Sequence, residues 1–341
     1  MENFQKKVTC DLPKVGLFSS SLNGHRGAYL DFTAKTFNGV RLSQNQLKAF
    51  KLPVFFLMVE DSFGLYLHCA LWRALRGRRT VGLLFRPLPA LHGSTLRLKL
   101  KALALRALKS FRQVRTIAII PQEVIADLAL ITTGGIHDLQ LWDLSAADRQ
   151  KAASGEGVFG DLIRATAQGR RVLLSMGAQT HEKGLTFLAA AAPDLAQAGW
   201  MVVAAGKFPT SMQDERNRLA AAGHLVVDRF LTDSELLEGY GAATAVWCMY
   251  DQSYDQASGI LGRAVQLGLP TLLRAGSVSH ALCVAISAPF VSAQSADEIV
   301  AALDRLPSAK PALGMQLQEQ FRNESIEHLT SALFEPMGPK A

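Results

Sequence analysis

The sequence predicts an α/β protein of two domains, each built on a parallel sheet. Three observations carry this. Apolar runs of strand length recur in both halves, such as PVFFLMV at residues 53–59 and WMVVAA at residues 200–205. Segments with helical spacing alternate with them, as βαβ units require. The 341 residues, 49% of them hydrophobic, suffice for two cores of ordinary size.

The elements follow in order. Residues 15–18 form a first short strand, and residues 19–27 a polar loop before a helix at 28–36. Residues 53–59 read as a buried parallel strand, apolar throughout because both faces are covered. Ser62 then caps a helix over 63–75. A strand at 80–85 precedes a helix over 94–112, with Leu96, Leu100, Leu103 and Ala107 on one face. The opening LRLKLK of that helix also alternates as a strand would. Strands at 116–120 and 136–141 complete the first half, and the polar, glycine-containing stretch 145–160 reads as a linker.

The second half continues with strands at 171–176, 200–205 and 225–227 and helices at 184–198, 212–222 and 233–240. A strand at 244–248 leads into the polar loop 251–258. A helix from Gly259 ends at Gly268-Leu269-Pro270, before a strand at 271–273. Two more helices, 296–306 and 316–334, close the chain. The expected division is residues 1–150, 151–312 and a helical tail at 313–341.

Composition narrows the function classes. Charged residues are 19%, too few for a disordered chain of high charge. The four cysteines are scattered, and Cys69, Cys248 and Cys283 lie in apolar runs as buried free thiols, which fits a reducing, cytoplasmic compartment. No apolar stretch is long enough to span a bilayer, and residues 1–14 lack a signal core. The net charge of +7 is uneven: from Arg73 to Arg115 no Asp or Glu interrupts the cations. Interleaved leucines give that stretch two readings, a solvated helix face or an amphipathic surface for an anionic membrane. Nucleic acid is not favoured, because aromatics for base stacking are nearly absent.

Gly155-Glu156-Gly157-Val158-Phe159-Gly160 matches G-x-G-x-x-G, but no strand precedes it, so it reads as linker. No H-E-x-x-H or D-x-D occurs, and no metal or other cofactor is expected. Gly177 allows close backbone approach to a ligand, and Lys183 opens the next helix as a phosphate partner or a solvated lysine. Ser258-Gly259 opens a helix at the carboxyl end of a strand, where open α/β sheets bind ligands and a helix dipole attracts anions.

These elements together, the strand ending in Gly177, Lys183-Gly184, the strand ending in Gly206, and the loop from Asp251 to Gly-Leu-Pro, resemble the nucleotide-sugar domain of GT-B glycosyltransferases, in particular their large retaining group. The likeness covers about residues 171–290, one α/β domain. It implies two Rossmann-like domains facing a cleft, a nucleotide-diphosphate sugar donor, and donor binding by Gly177, Lys183, Gly206, Asp255, Ser258, Gly259 and Arg263. Two departures stand out. Ala178 and Gln179 stand where the family has an Arg. The family's glutamates eight positions apart fall on Asp255 and Arg263, so one charge is reversed; Arg263 either reaches the diphosphate or is a surface residue.

In the first half, His25 is either a proton carrier or a packing histidine, and Asp61 either a general base or a helix-start carboxylate. The expected activity is transfer of a sugar to an acceptor, lipid-linked in keeping with the basic stretch, in cell-surface polysaccharide or glycolipid synthesis at the inner face of the membrane. The alternative is a non-catalytic nucleotide-sugar-binding protein of the same fold.

Overall fold

The computed structural model describes residues 14–21 and 25–335; the side chains at positions 25 and 26, and Cys10, lie outside the described residues. The chain divides into two compact units, one of residues up to Leu139 with those from Asn323 onward, the other Gln140–Arg322. The division therefore falls before the expected 150, and the last half of the C-terminal helix belongs to the first unit.

The first unit contains β1 (Val15–Phe18), α1 (His25–Thr36), β2 (Gly39–Arg41), β3 (Val54–Phe56), α2 (Phe63–Ala74), β4 (Thr80–Leu84), α3 (Leu88–His92), α4 (Leu96–Leu108), β5 (Val114–Ala118) and β6 (Gly134–Gly135). Its strands form a parallel six-stranded sheet in the order β2-β1-β3-β4-β5-β6. The apolar run 53–59 is a strand only as far as Phe56, because Met58 turns left-handed at φ 51° and starts a 3-10 turn. Ser62 makes no side-chain cap to α2. The expected strand at 136–141 is instead the two-residue β6 followed by a 3-10 turn at Leu139–Leu141.

Arg73 is fully buried beneath this sheet and donates to the carbonyls of Leu47, Phe50, Leu52 and Arg79 and to the Thr80 hydroxyl. Burial pushes its pKa down to about 10, so it remains a cation at neutral pH. Arg79 donates to the carbonyls of Ala332 and Glu335, closing the end of the last helix where its dipole favours a cation. Two members of the basic stretch are thus structural.

The second unit contains α5 (Ala146–Ser154), α6 (Val158–Ala167), β7 (Arg171–Met176), α7 (Leu185–Ala190), α8 (Ala192–Gln197), β8 (Trp200–Ala205), α9 (Gln213–Ala221), β9 (Leu225–Val227), α10 (Asp233–Ala242), β10 (Ala245–Cys248), α11 (Gly259–Leu267), β11 (Thr271–Arg274), α12 (Val278–Ala285), β12 (Phe290–Ala293) and α13 (Ile299–Leu303), and the start of α14 (Pro311–Phe334). Its parallel sheet runs β12-β11-β10-β7-β8-β9. β7 and β8 pair over their whole length, from Arg171 beside Trp200 to Met176 beside Ala205. Both are almost wholly buried, as a central parallel strand must be.

The expected linker is in fact α5, a tight turn and α6. Gly155 ends α5 in the left-handed region, and a side chain at Gly160 would strike the Gly155 carbonyl. The Glu238 carboxylate lies where a Gly157 side chain would be and accepts from the Phe159 N–H at 3.0 Å. The G-x-G-x-x-G spacing here serves helix packing, with a protein carboxylate at the helix N-terminus.

Candidate functional site

In an open parallel sheet, a crevice forms where the strand order reverses, since successive connections there leave toward opposite faces. In the second unit this point lies between β7 and β10. The loop after β7 carries Gly177 to Gly184, and the loop after β10 carries Met249 to Ser258. The two loops are tied together. Asp251 N–H donates to the Glu182 carbonyl at 3.0 Å, and Trp247 Nε1 to the Lys183 carbonyl at 3.0 Å. Gly184, at φ 78°, lies so close to the Met249 carbonyl that a Cβ would sit 2.0 Å from it.

Lys183 stands at this junction. Its ammonium lies 3.7 Å from the ring centre of Tyr254 and 4.3 Å from that of Tyr250. The rings meet edge to face at 5.3 Å and hold the amine by their negative faces. Among the described residues, no carboxylate pairs with Lys183. Three other cations of the unit do have such partners: Lys207 pairs with Asp228, Arg274 with Asp255 and Arg263 with Asp143.

Gly177 has φ 92°, which disfavours any other residue, and open space where its side chain would be. Gly206 is needed for a different reason: a Cβ there would sit 1.7 Å from the Gly177 carbonyl. Gln179 fills the place below the loop. It is buried, accepts from the Ser175 hydroxyl and donates to the carbonyls of Ser175, Gly177 and Ala205. Where the resembled family carries a cation, this chain has a neutral brace.

The structure gives the remaining predicted donor residues internal partners. Ser258 caps α11, accepting from Leu261 N–H, and its hydroxyl lies 2.8 Å from that of buried Tyr250. The Gln140 side-chain amide occupies the space a Cβ at Gly259 would need. Asp255 accepts from Val278 N–H at 2.8 Å and faces Arg274 at 3.4 Å, which latches the loop to the start of α12. Arg263 pairs with Asp143 at 2.6 Å, both partly buried. The reversed charge is answered inside the unit, by a carboxylate 120 positions earlier.

In the first unit the strand order reverses between β1 and β3. His25 opens α1 after β1, but its side chain lies outside the described residues. Asp61 is exposed on the turn after β3. The residue before it was missed by the sequence reading. Glu60 accepts from the Arg86 N–H at 2.6 Å, while its other oxygen is buried without a partner among the described residues. Burial pushes this carboxyl above the usual range, against the opposing pull of the Arg86 hydrogen bond and of Lys101. Its position just after an apolar run was the only available signal. Among the described residues, no three His, Cys, Asp or Glu side chains gather as a metal site would need.

No protein-family model matches the chain, and no curated protein does. Solved structures do. Anabaena Alr3699/HepE in complex with UDP is similar over 94% of this chain and 100% of the other, with a TM-score of 0.62 at 12% identity. The α,α-trehalose 6-phosphate synthase of Burkholderia multivorans matches 88% of this chain and 72% of its own, at 0.58 and 14%. The catalytic domain of Arabidopsis thaliana Starch Synthase IV, bound to ADP and acarbose, matches 93% and 79%, at 0.55 and 11%. At such identities the likeness speaks for the fold, and with two parallel six-stranded sheets of α/β type it is the GT-B fold that the sequence led us to expect.

Proposed function

We propose that the protein is a glycosyltransferase that moves a sugar from a nucleoside-diphosphate donor to an acceptor hydroxyl. The observation that carries this reading is Lys183, a cation without a carboxylate partner among the described residues, held by two tyrosine rings where the second sheet reverses its strand order. The fold supports it, since similar structures were solved with UDP and with ADP. In this reading Lys183 meets the diphosphate and the open side of Gly177 lets the backbone approach it. Gly206, Asp255, Ser258 and Gly259 set the two loops, and Arg263 is held by Asp143.

In the transfer, the acceptor oxygen bonds to the anomeric carbon and the bond from that carbon to the diphosphate oxygen breaks. The electron pair leaves with the diphosphate, whose charge is met by Lys183 and the N-terminal dipole of α11 without a metal. The acceptor proton passes to a base, for which His25, Asp61 and Glu60 are the candidates beside the first sheet's reversal point. A lipid-linked acceptor, and a place at the inner face of the membrane in cell-surface polysaccharide or glycolipid synthesis, fits the basic, leucine-rich stretch. Among the described residues, no helix is long and apolar enough to cross a membrane.

The second reading, a nucleotide-sugar-binding protein without catalysis, is favoured by the internal pairing of Asp255 and Arg263. Incubation with radiolabelled UDP-glucose and ADP-glucose, with and without a lipid extract, separates the two. Release or transfer of label that Lys183→Met abolishes supports the enzyme. Nucleotide-dependent thermal stabilisation with no turnover of any donor sinks it and leaves the binding protein.

A further inference from the structure

The helix α4 has two apolar faces, and only one of them is used by the fold. Ala102, Leu105 and Leu108 are buried against the first unit. Leu96, Leu100 and Leu103 are 73%, 56% and 61% exposed, and Ala107 is exposed with them. At about 100° per residue these four lie within roughly 60° of arc, a narrow stripe along the outside of the helix. The sequence grouped the same residues on one face; the structure turns that face outward.

Cations border the stripe on both sides. Lys99 and Arg106 are exposed along one flank and Arg97 along the other. No Asp or Glu occurs between Arg73 and Arg115. Lys101 does not join them: it is half-buried, with its ammonium 5.3 Å from the Phe63 ring and close enough to Glu60 to feel its charge.

We infer that the outer face of α4 is a docking surface for an anionic lipid bilayer, into which Leu96, Leu100 and Leu103 insert while Arg97, Lys99 and Arg106 meet the headgroups. Charge complementarity decides the occupant. A second copy laid stripe against stripe would oppose three cations to three cations with no carboxylate on the helix to relieve them. An anionic membrane interface supplies apolar depth for the leucines and negative charge at the level where the cations end. The inference deepens the membrane placement proposed above but does not depend on the transfer chemistry, because it needs only the exposed stripe and its charges.

The experiment uses the full chain and vesicles of phosphatidylcholine, alone or with about a third phosphatidylglycerol. The native protein is expected to float with the anionic vesicles at low salt, to bind neutral ones far more weakly, and to be released as salt shortens the screening length. A single cation near such a surface is worth about fivefold, so Lys99→Gln with Arg106→Gln should weaken binding more than tenfold at low salt. Replacing Leu96, Leu100 and Leu103 by Ser should also weaken it more than tenfold, with the chain still folded and melting only slightly lower, because the positions are mostly exposed. Leu162→Ser, at an exposed leucine of the second unit, should stay within twofold. Equal binding to both vesicles, no binding at all, or undiminished binding by the triple Ser protein overturns the proposal. So does a native dimer that the triple Ser protein converts to monomer without any vesicle binding, since the occupant is then a second copy.

Discussion

Lys183→Met keeps the length and most of the apolar stem of the side chain and removes its charge. Two effects follow, and they are separable. In the free protein the ammonium lies 3.7 and 4.3 Å from two ring centres, an interaction of about 1–2 kcal/mol for a half-buried cation. The substitution should lower stability by that amount and no more, because methionine still fills the space between the tyrosines. In the complex, the lost contact is a charge-assisted hydrogen bond to phosphate, about 1.5–3 kcal/mol. That corresponds to roughly 10- to 150-fold weaker binding. Since the charge acts on phosphate, the loss should fall on the nucleoside diphosphate and leave the nucleoside within about twofold of native, the level of RT or less. Calorimetric titration of native and variant protein with UDP and uridine, repeated with ADP and adenosine, measures this directly, and denaturant unfolding gives the stability arm. Equal losses for nucleotide and nucleoside would remove Lys183 from the phosphate site. A diphosphate loss under threefold would do the same, even if stability fell as expected.

Other consequences are as specific. Arg73→Met should cost about 3–5 kcal/mol in urea unfolding, because two buried and two partly buried carbonyls and the Thr80 hydroxyl lose their donor at once; a cost under 1 kcal/mol would mean the carbonyls re-pair. Buried His224 accepts from Val202 N–H at Nδ1 and donates to the Ala192 carbonyl from Nε2, and burial lowers its pKa from 6.5. The unfolded state then binds its proton more readily, so this contribution to stability is full well above pH 6.5 and shrinks as pH falls through and below it. The stability gap between native protein and His224→Leu should accordingly narrow from pH 8 to pH 5, and a constant gap refutes the assignment. Arg263→Glu should destabilise by roughly 1–2 kcal/mol by setting two carboxylates together, and adding Asp143→Arg should recover most of that; without recovery, the pair is not what holds Arg263.

The residues by themselves determined the alternation of strand and helix and most of the second sheet. Strands β7 and β8 fall on the apolar runs, because a strand buried on both faces must be largely apolar, and β9 keeps its expected bounds although it is a half-buried edge strand. The C-terminal stop of α11 was equally legible, since Gly268 takes the left-handed conformation at φ 66° before Pro270. The strands β2, β6 and β12 were not, being two to four residues long and set by their neighbours rather than by any period. A glycine pattern suggested a linker between residues 145 and 160 because nothing local reveals that Glu238 will cap the second helix.

Only the tertiary structure decided which charges were available. Asp255, Arg263 and Lys183 look alike in sequence, as polar residues near a helix start. Asp255 is taken by Val278 N–H and Arg274, and Arg263 by Asp143, while Lys183 faces two aromatic rings that leave its charge unneutralised. The same holds for α4: with apolar residues all round, periodicity groups Leu96, Leu100 and Leu103 together but cannot say which face the sheet will cover. Local sequence fixes backbone preference within a few residues, whereas pairing and burial depend on groups brought together from as far as 256 positions away, by the packing of helices on a sheet.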